Sequence, residues 1–396
     1  MMEEWKEYKL GAIANFQKGF AFKSSEYTRT GTRIIKVSNL NQDKYSDKDC
    51  VFIDKEKALS YEKYRIVEGD IVISTVGSWP TNPESVVGKV SLIRSSLSGS
   101  LLNQNAVRLR VAEGMNQRFL YYLLMWPEFG NYITNTAQGS ANQASITLED
   151  IRNFKFNCPN FYTQDKIASI LKSLDDKIEV NRKINENLEQ QAQALFKSWF
   201  VDFEPFKNGE FVESELGMIP KGWRVGKLGE LCQFKRGKGL LSKNAIPGDV
   251  PVVAGGLEPA CYHNISNTKA PVITVSGSGA NAGFMRMYHQ EVWASDCSFI
   301  DITCENWLFV YCFLAINSHL LKHAQTGAVQ PHVKPADIHD FDLVIPPKVY
   351  IQRFQDKISS FITKKGLIEQ ESRRLAELRD TLLPKLMSGQ IEVNEI

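Results

Sequence analysis

Residues 179–206 read EVNRKINENLEQQAQALFKSWFVDFEPF. The first fifteen are strongly polar and carry no helix breaker, so they predict an exposed helix. The remainder, from Ala194, holds Phe196, Trp199, Phe200, Phe203 and Phe206. A polar helix cannot cover five rings. Cover has to come from elsewhere, either from a folded body that the chain enters next or from the surface of a partner.

Outward from this stretch the sequence repeats. WKEYKLG (5–11) answers to WRVGKLG (223–229), and GDIVISTVGS (69–78) to APVITVSGSG (270–279). TAQGSANQASITLEDIRNFKFNCP (136–159) answers to TGAVQPHVKPADIHDFDLVIPP (326–347). YTQDKIASIL (162–171) answers to YIQRFQDKISSFI (350–362), and both open long helical patterns. Correspondences in one order predict a lobe over 1–160, a central helix over 161–206, a second lobe over 207–348 and a final helix over 349–396. In the central helix Ile167, Ile170, Leu174, Asn181, Ile184, Leu188 and Leu195 fall at core spacing, with Lys177, Gln191 and Ser198 in the gaps and Asp165 near the N-cap. The final helix offers Phe354, Ile358, Phe361, Ile368, Leu375 and Leu382, ending at Pro384. Packing the two stripes together as an antiparallel pair buries both, and Asn181 at a core position would fix the register.

Each lobe is Gly-punctuated and β-rich. RIIKV (33–37), DIVIS (70–74), KVSLI (89–93) and AVRLRV (106–111) predict strands in the first, with FLYYLLMW (119–126) as a short buried helix. PVVAG (251–255), PVITVSG (271–277) and SFIDI (298–302) predict strands in the second, with NWLFVYCFLAI (306–316) as its helix. The fold class is therefore mixed α/β, of the α+β kind: two similar lobes separated by long antiparallel coiled-coil helices. A length of 396 residues, 43% hydrophobic and 23% charged, fits such a multi-domain globular chain. The densest apolar run, LFVYCFLAI (308–316), is too short for a membrane span, and the N-terminus lacks a signal pattern. Seven cysteines without framework spacing predict reduced thiols and a cytoplasmic location.

Catalytic signatures are missing. Gly277-Ser-Gly-Ala-Asn-Ala-Gly283 follows a strand, but its spacing is one residue longer than a dinucleotide loop and the next residues, FMRMYHQEVW, look extended. It predicts a tight turn. There is no G-x-x-x-x-G-K-S/T phosphate loop and no amino-methyltransferase tetrapeptide. His319 and His323 have helical i, i+4 spacing without a third ligand, so a surface pair is the better reading. Binding features are more plentiful. Lys221, Arg224, Lys227, Lys235, Arg236, Lys238 and Lys243 crowd one window against Glu230 alone, with Gly237 and Gly239 letting the backbone approach a ligand. In the first lobe Lys18 and Lys23 flank GFAF, followed by the amides Asn39 and Asn41. Ser78, Thr81 and Asn82 form one polar loop, and Ser140, Asn142 and Gln143 another; Ser278, Asn281, Gln330 and His332 stand in the second lobe. Such hydroxyls and amides suit phosphates and base edges.

In full, the pattern resembles the specificity subunit of type I restriction–modification enzymes. LFKSWFVDFEPF (195–206), RDTLLPKLMSGQIEV (379–393), LGAIANFQKGFAFKSSEY (10–27) and PKGWRVGKLGEL (220–231) carry the resemblance; the loop from Thr326 matches its first-lobe counterpart only loosely. The resemblance implies two target-recognition domains that read a bipartite double-stranded DNA site. It implies a non-catalytic subunit that binds no cofactor itself. Two methyltransferase subunits would use S-adenosylmethionine to methylate adenine N6, and restriction subunits would add ATP- and Mg-dependent translocation and cutting. Phe196, Trp199, Phe200 and Phe203, with Leu382, Leu386 and Met387 at the other helix end, are candidates for the subunit interface. A stand-alone methyltransferase using the 277–283 loop, or a scaffold that never touches DNA, are the alternatives.

A helix over 167–198, at about 1.5 Å per residue, spans roughly 50 Å, enough to hold two readers about one 34–36 Å turn of B-DNA apart. Inserting one heptad into the central helix is expected to change the length of the unread spacer and leave both half-sites unchanged. Binding selection on duplexes with randomised spacers checks this; altered half-sites with the old spacer would refute it.

Overall fold

The computed structural model describes residues 5–40, 50–79, 87–140, 143–326 and 331–393. The chain falls into two compact units, residues 1–179 with 372–396 and residues 180–371.

In unit 1 the strand Lys6–Lys9 pairs antiparallel with Lys155–Cys158, Lys6 opposite Cys158. A four-stranded antiparallel sheet follows the order Ala14–Lys18, Ala106–Val111, Ile71–Ser74, Val90–Leu92. The central strand Ile71–Ser74 is buried along its length, which its run of β-branched residues suits. A second sheet sets Thr32–Ile35 between Val51–Ile53, antiparallel, and Leu101–Leu102, parallel. The helix Gln117–Met125 starts at Asn116, whose side chain accepts hydrogen bonds from the Arg118 and Phe119 amides at 2.9 Å each. It buries Phe119, Leu120, Tyr122 and Leu123.

Unit 2 repeats this frame. Arg224–Lys227 pairs antiparallel with Asp342–Ile345. The four-stranded sheet runs Lys235–Arg236, Cys297–Asp301, Val272–Ser276, Met285–Tyr288. The three-stranded sheet sets Val250–Val253 between Cys261–His263, antiparallel, and Trp293–Ala294, parallel. The apolar run at 308–316 lies in the buried helix Trp307–Ile316. No helix of the described residues is long and apolar enough to cross a membrane.

The two long helices, Phe161–Phe200 and Lys348–Met387, contribute to both units. Inside unit 2 they are antiparallel. Asn181 meets Glu371, Glu189 meets Lys365, and Phe200 meets Phe354, so rising numbers on one helix match falling numbers on the other. Inside unit 1, Ile167, Ala168 and Leu171 share a core with Leu383, Leu386 and Met387. Asn181 is buried at its core position. Other details differ from expectation. The helix begins at Phe161, and Asn160, not Asp165, receives the Thr163 amide at 3.0 Å. Lys177 and Gln191 are exposed, because the buried face shifts to Leu171, Asn181, Ala192 and Phe196. The final helix does not end at Pro384 but runs through it to Met387. A proline near the last turn removes only one hydrogen bond, and the burial of Leu383, Leu386 and Met387 holds that turn in place. The expectation of seven reduced thiols is also corrected: Cys232 and Cys304 form a disulfide, with Cα atoms 6.1 Å apart. Pairing of the Lys235–Arg236 and Cys297–Asp301 strands brings their flanking turns together across 72 residues of sequence, which no spacing motif betrays.

Each unit also holds a tyrosine–carboxylate–cation cluster against its helices. In unit 1 the Tyr122 hydroxyl donates to Asp175 at 2.6 Å, and Arg379 pairs with the same carboxylate at 2.8 Å. In unit 2 the Tyr311 hydroxyl donates to Glu189 at 2.8 Å, and Lys365 pairs with it at 2.7 Å. Burial alone would raise the Glu189 pKa, but Lys365, Tyr311 and Gln193 outweigh it and hold the carboxyl below its ordinary 4.5. A carboxylate held low in the folded state stabilises above that ordinary value and loses its contribution as pH falls through the lowered one. Glu189→Gln is therefore expected to cost roughly 1.5–3 kcal/mol at neutral pH and to flatten the loss of stability below about pH 4.5. Urea unfolding across pH 3–7 checks both; a variant as acid-sensitive as the parent would contradict them.

Candidate nucleic-acid interface

The same device closes the edge strand of the four-stranded sheet in both units. In unit 1 the exposed Lys18 ends its strand, and the next amides turn sharply: Gly19 donates to the Ala106 carbonyl and Phe20 to that of Leu102, both at 2.9 Å. In unit 2 the exposed Arg236 ends its strand, Gly237 donates to Cys297 at 2.8 Å and Lys238 to Ala294 at 2.9 Å. A β-carbon on Gly19 would lie 1.9 Å from the Asn103 carbonyl oxygen, and one on Gly237 would lie 2.3 Å from that of Ser295. Only glycine lets the backbone come this close. Beside these cations, the central strand leaves the sheet. Thr75 donates to the Asn105 carbonyl at 2.9 Å, and Gly277 to that of Asp296 at 3.1 Å. Lys18, Thr75 and Asn105 thus stand where Arg236, Gly277 and Asp296 stand in the second unit. Asn105 and Asp296 were missed in the sequence reading, although each directly precedes a repeated strand.

The polar loops collect at this same strand end. In unit 1 the hairpin of Gln138–Ser140 and Gln143–Ser145 pairs with Val76–Gly77, placing Ala144 opposite Gly77. The Trp79 indole donates to the Ser140 carbonyl at 2.8 Å. Ser140 and Gln143 are therefore opposite each other on one small sheet, both exposed, and Ser78 directly follows its third strand. Thr81, Asn82 and Asn142 lie outside the described residues, as do Asn41 and Gln330. In unit 2 Ser278 bridges His332, while Gly279 donates to Pro331 and Val333 to Gly277, both at 3.1 Å. The 277–283 segment is a turn between paired strands, with Gly279 and Gly283 at φ 79° and 78°; Asn281 accepts the Phe284 amide within it at 2.9 Å. The loosely matching Thr326 loop returns to His332 through two backbone bonds of 2.8 and 3.0 Å.

The remaining candidates separate. Lys235, Lys238 and Lys243 are exposed around the Gly237 turn. Lys23 is exposed at the start of a short turn, Ser24–Glu26. Asn39 is not available to a base edge: it is buried, and its side-chain oxygen accepts the Lys36 amide at 2.9 Å to cap the turn Val37–Asn39. His319 and His323 are an exposed pair on one helix, rings 5.9 Å apart, and no metal-binding cluster occurs among the described residues. The rings proposed for a subunit interface pack inside unit 2. Phe196 and Phe200 are buried against Phe309 and Phe354, while Trp199 and Phe203 are partly covered by Phe354 and Trp223. Leu386 and Met387 are buried in unit 1, with Leu382 at the margin.

Comparison with known proteins agrees with this duplication. The family described as "Type I restriction modification DNA specificity domain" matches residues 2–190 and 220–379. The MjaIX type I restriction enzyme specificity subunit of Methanocaldococcus jannaschii is 30% identical over 341 residues, 78% of this chain and 76% of that one. The HindI specificity subunit of Haemophilus influenzae is 25% identical, covering 98% of this chain and 100% of its own. Among solved structures, the S subunit of a type I restriction–modification system from M. genitalium has a similar fold, with a TM-score of 0.59 at 19% identity over 97% of this chain and 96% of that one.

The tight approach at Gly19 and Gly237 generates its own test. Alanine at either position is expected to lower stability by about 1–3 kcal/mol through overpacking against a fixed carbonyl, whereas alanine at Gly239, where a β-carbon meets nothing within 4 Å, is expected to be nearly neutral. Thermal unfolding of the three variants decides; equal melting temperatures would contradict the geometry.

Proposed function

Because this chain belongs to the type I restriction–modification DNA specificity family, we propose that each of its two units reads one half of a bipartite duplex target. The chain is a specificity subunit, and its task is DNA target recognition. The observation that carries the finer reading is the repeated strand end: a cation on a backbone-hugging glycine, beside a central-strand exit and a polar loop, in both units. Two such ends on one chain suit a site with two specified halves. The lobes at 1–160 and 207–348 are the readers, and the helices at 161–206 and 349–396 are the parts that join them.

The same duplication supports the choice of partners. A repeated chain offers like surfaces twice, which suits two copies of a methyltransferase subunit acting on adenine N6. Restriction subunits complete the assembly. S-adenosylmethionine, ATP and Mg belong to those partners in this reading, and the work takes place in the cytoplasm, where the DNA is. The burial of Phe196, Phe200, Leu386 and Met387 removes those four from the expected docking surface and leaves the partly exposed Trp199, Phe203 and Leu382 as its candidates.

Phosphate contacts contribute affinity without sequence, and base contacts contribute sequence. Lys238→Ala and Lys243→Ala are each expected to weaken duplex binding uniformly across sequences and to reduce the slope of log K against log salt by about one. Fluorescence anisotropy of the assembled complex at several salt concentrations measures this. Sequencing methylated adenines in cells with and without the chain tests the whole reading: a bipartite methylated motif should vanish with the chain, and its persistence would sink the proposal.

A further inference from the structure

Arg236 is held where its neighbours are loose. Its Nη2 pairs with Oδ1 of Asp296, and Oδ2 of that carboxylate accepts the Ser278 hydroxyl. The guanidinium lies against Gly277, where a β-carbon would come within 2.3 Å of Nη1. Ser278 is in turn fixed by its bridge to His332. Despite these restraints the side chain is 46% exposed. Among the described residues Lys238 and Lys243, in the same window, have no ion-pair partner. A guanidinium carries five donors in a rigid fork, and Asp296 engages one nitrogen. An arginine fixed this way, yet still open to solvent, has lost the rotamer freedom that would otherwise oppose binding.

We propose that Arg236, positioned by Asp296, Ser278 and Gly277, reads a guanine in the half-site recognised by unit 2. This rests on the DNA-recognition reading above and goes one step further, to a residue and a base. The chemistry is specific. Two adjacent donors match the O6 and N7 acceptors that guanine presents in the major groove, whereas adenine presents an amino group in place of O6. Among the described residues the first unit lacks the device. Lys18, Thr75 and Asn105 occupy its corresponding places, which gives a mobile point charge without a carboxylate brace. The guanine read by Arg236 therefore belongs to the half-site of unit 2.

The test is a binding selection from randomised duplexes, using the assembled complex that contains the full chain. Wild type is compared with Arg236→Lys, Asp296→Asn and Gly277→Ala, each checked for an unchanged unfolding temperature. Arg236→Lys keeps the charge and loses the fork. It is expected to relax one guanine by roughly 5- to 150-fold, the equivalent of about 1–3 kcal/mol, with the other half-site intact. Gly277→Ala, which displaces the guanidinium, should relax the same base, and Asp296→Asn should do so more weakly. Variants that select the wild-type sequence, a relaxed base other than guanine, or a uniform loss of affinity would each overturn the assignment while leaving DNA recognition standing. A wild-type complex that selects no sequence would bring down the recognition reading and this inference with it.

Discussion

Each unit is closed by a pairing between its opening and closing strands. Lys6–Lys9 meets Lys155–Cys158, and Arg224–Lys227 meets Asp342–Ile345. One extra bond seals each closure: Leu10 donates to the Phe154 carbonyl, and Leu228 to that of Phe341, both at 2.9 Å. A polypeptide that returns to its starting edge must leave from there, and in both cases it leaves directly into a 40-residue helix. The closure therefore decides where each helix starts, and so which side chains of that helix face the unit's own core. Loop-closure entropy for such long segments grows only slowly with length, so short two-stranded ladders flanked by buried side chains can hold them.

Unit 2 shows how the helix is then used. Phe196 and Phe200 pack on Phe309 and Phe354, joining the central helix, the short buried helix and the final helix in one aromatic cluster. The chain leaves this cluster through Phe203, whose φ of 54° is left-handed and unfavourable for a bulky residue. The reversal returns Phe206 to Trp223 and Tyr350. Away from the rings the helix contacts become polar. Asn181, Asn185 and Glu189 face Glu371 and Lys365, which fixes the pairing register more than it stabilises the pair.

Much of this was legible in the residues. β-branched runs marked the central strands, the apolar run at 308–316 marked its helix, and repetition marked the duplication. The details that escaped depend on contacts distant in sequence. Pro384 stays helical because buried neighbours hold the last turn, which no local rule shows. Asn39 looked like a free amide until its turn folded around it. Asp296 carries no motif, and its meaning comes from Arg236, 60 residues away. The fate of the rings from Phe196 to Phe206 was open for the same reason: sequence shows that rings need cover, not which surface supplies it.

The bond between Cys232 and Cys304 makes the two otherwise similar units unequal. It closes a loop of 72 residues, and chain entropy assigns such a closure about 4 kcal/mol of constraint on the unfolded state. No disulfide occurs among the described residues of unit 1. A molecule built by duplication thus folds from two unequal starting points, one of its units already narrowed by a covalent tie and the other a free chain among the described residues.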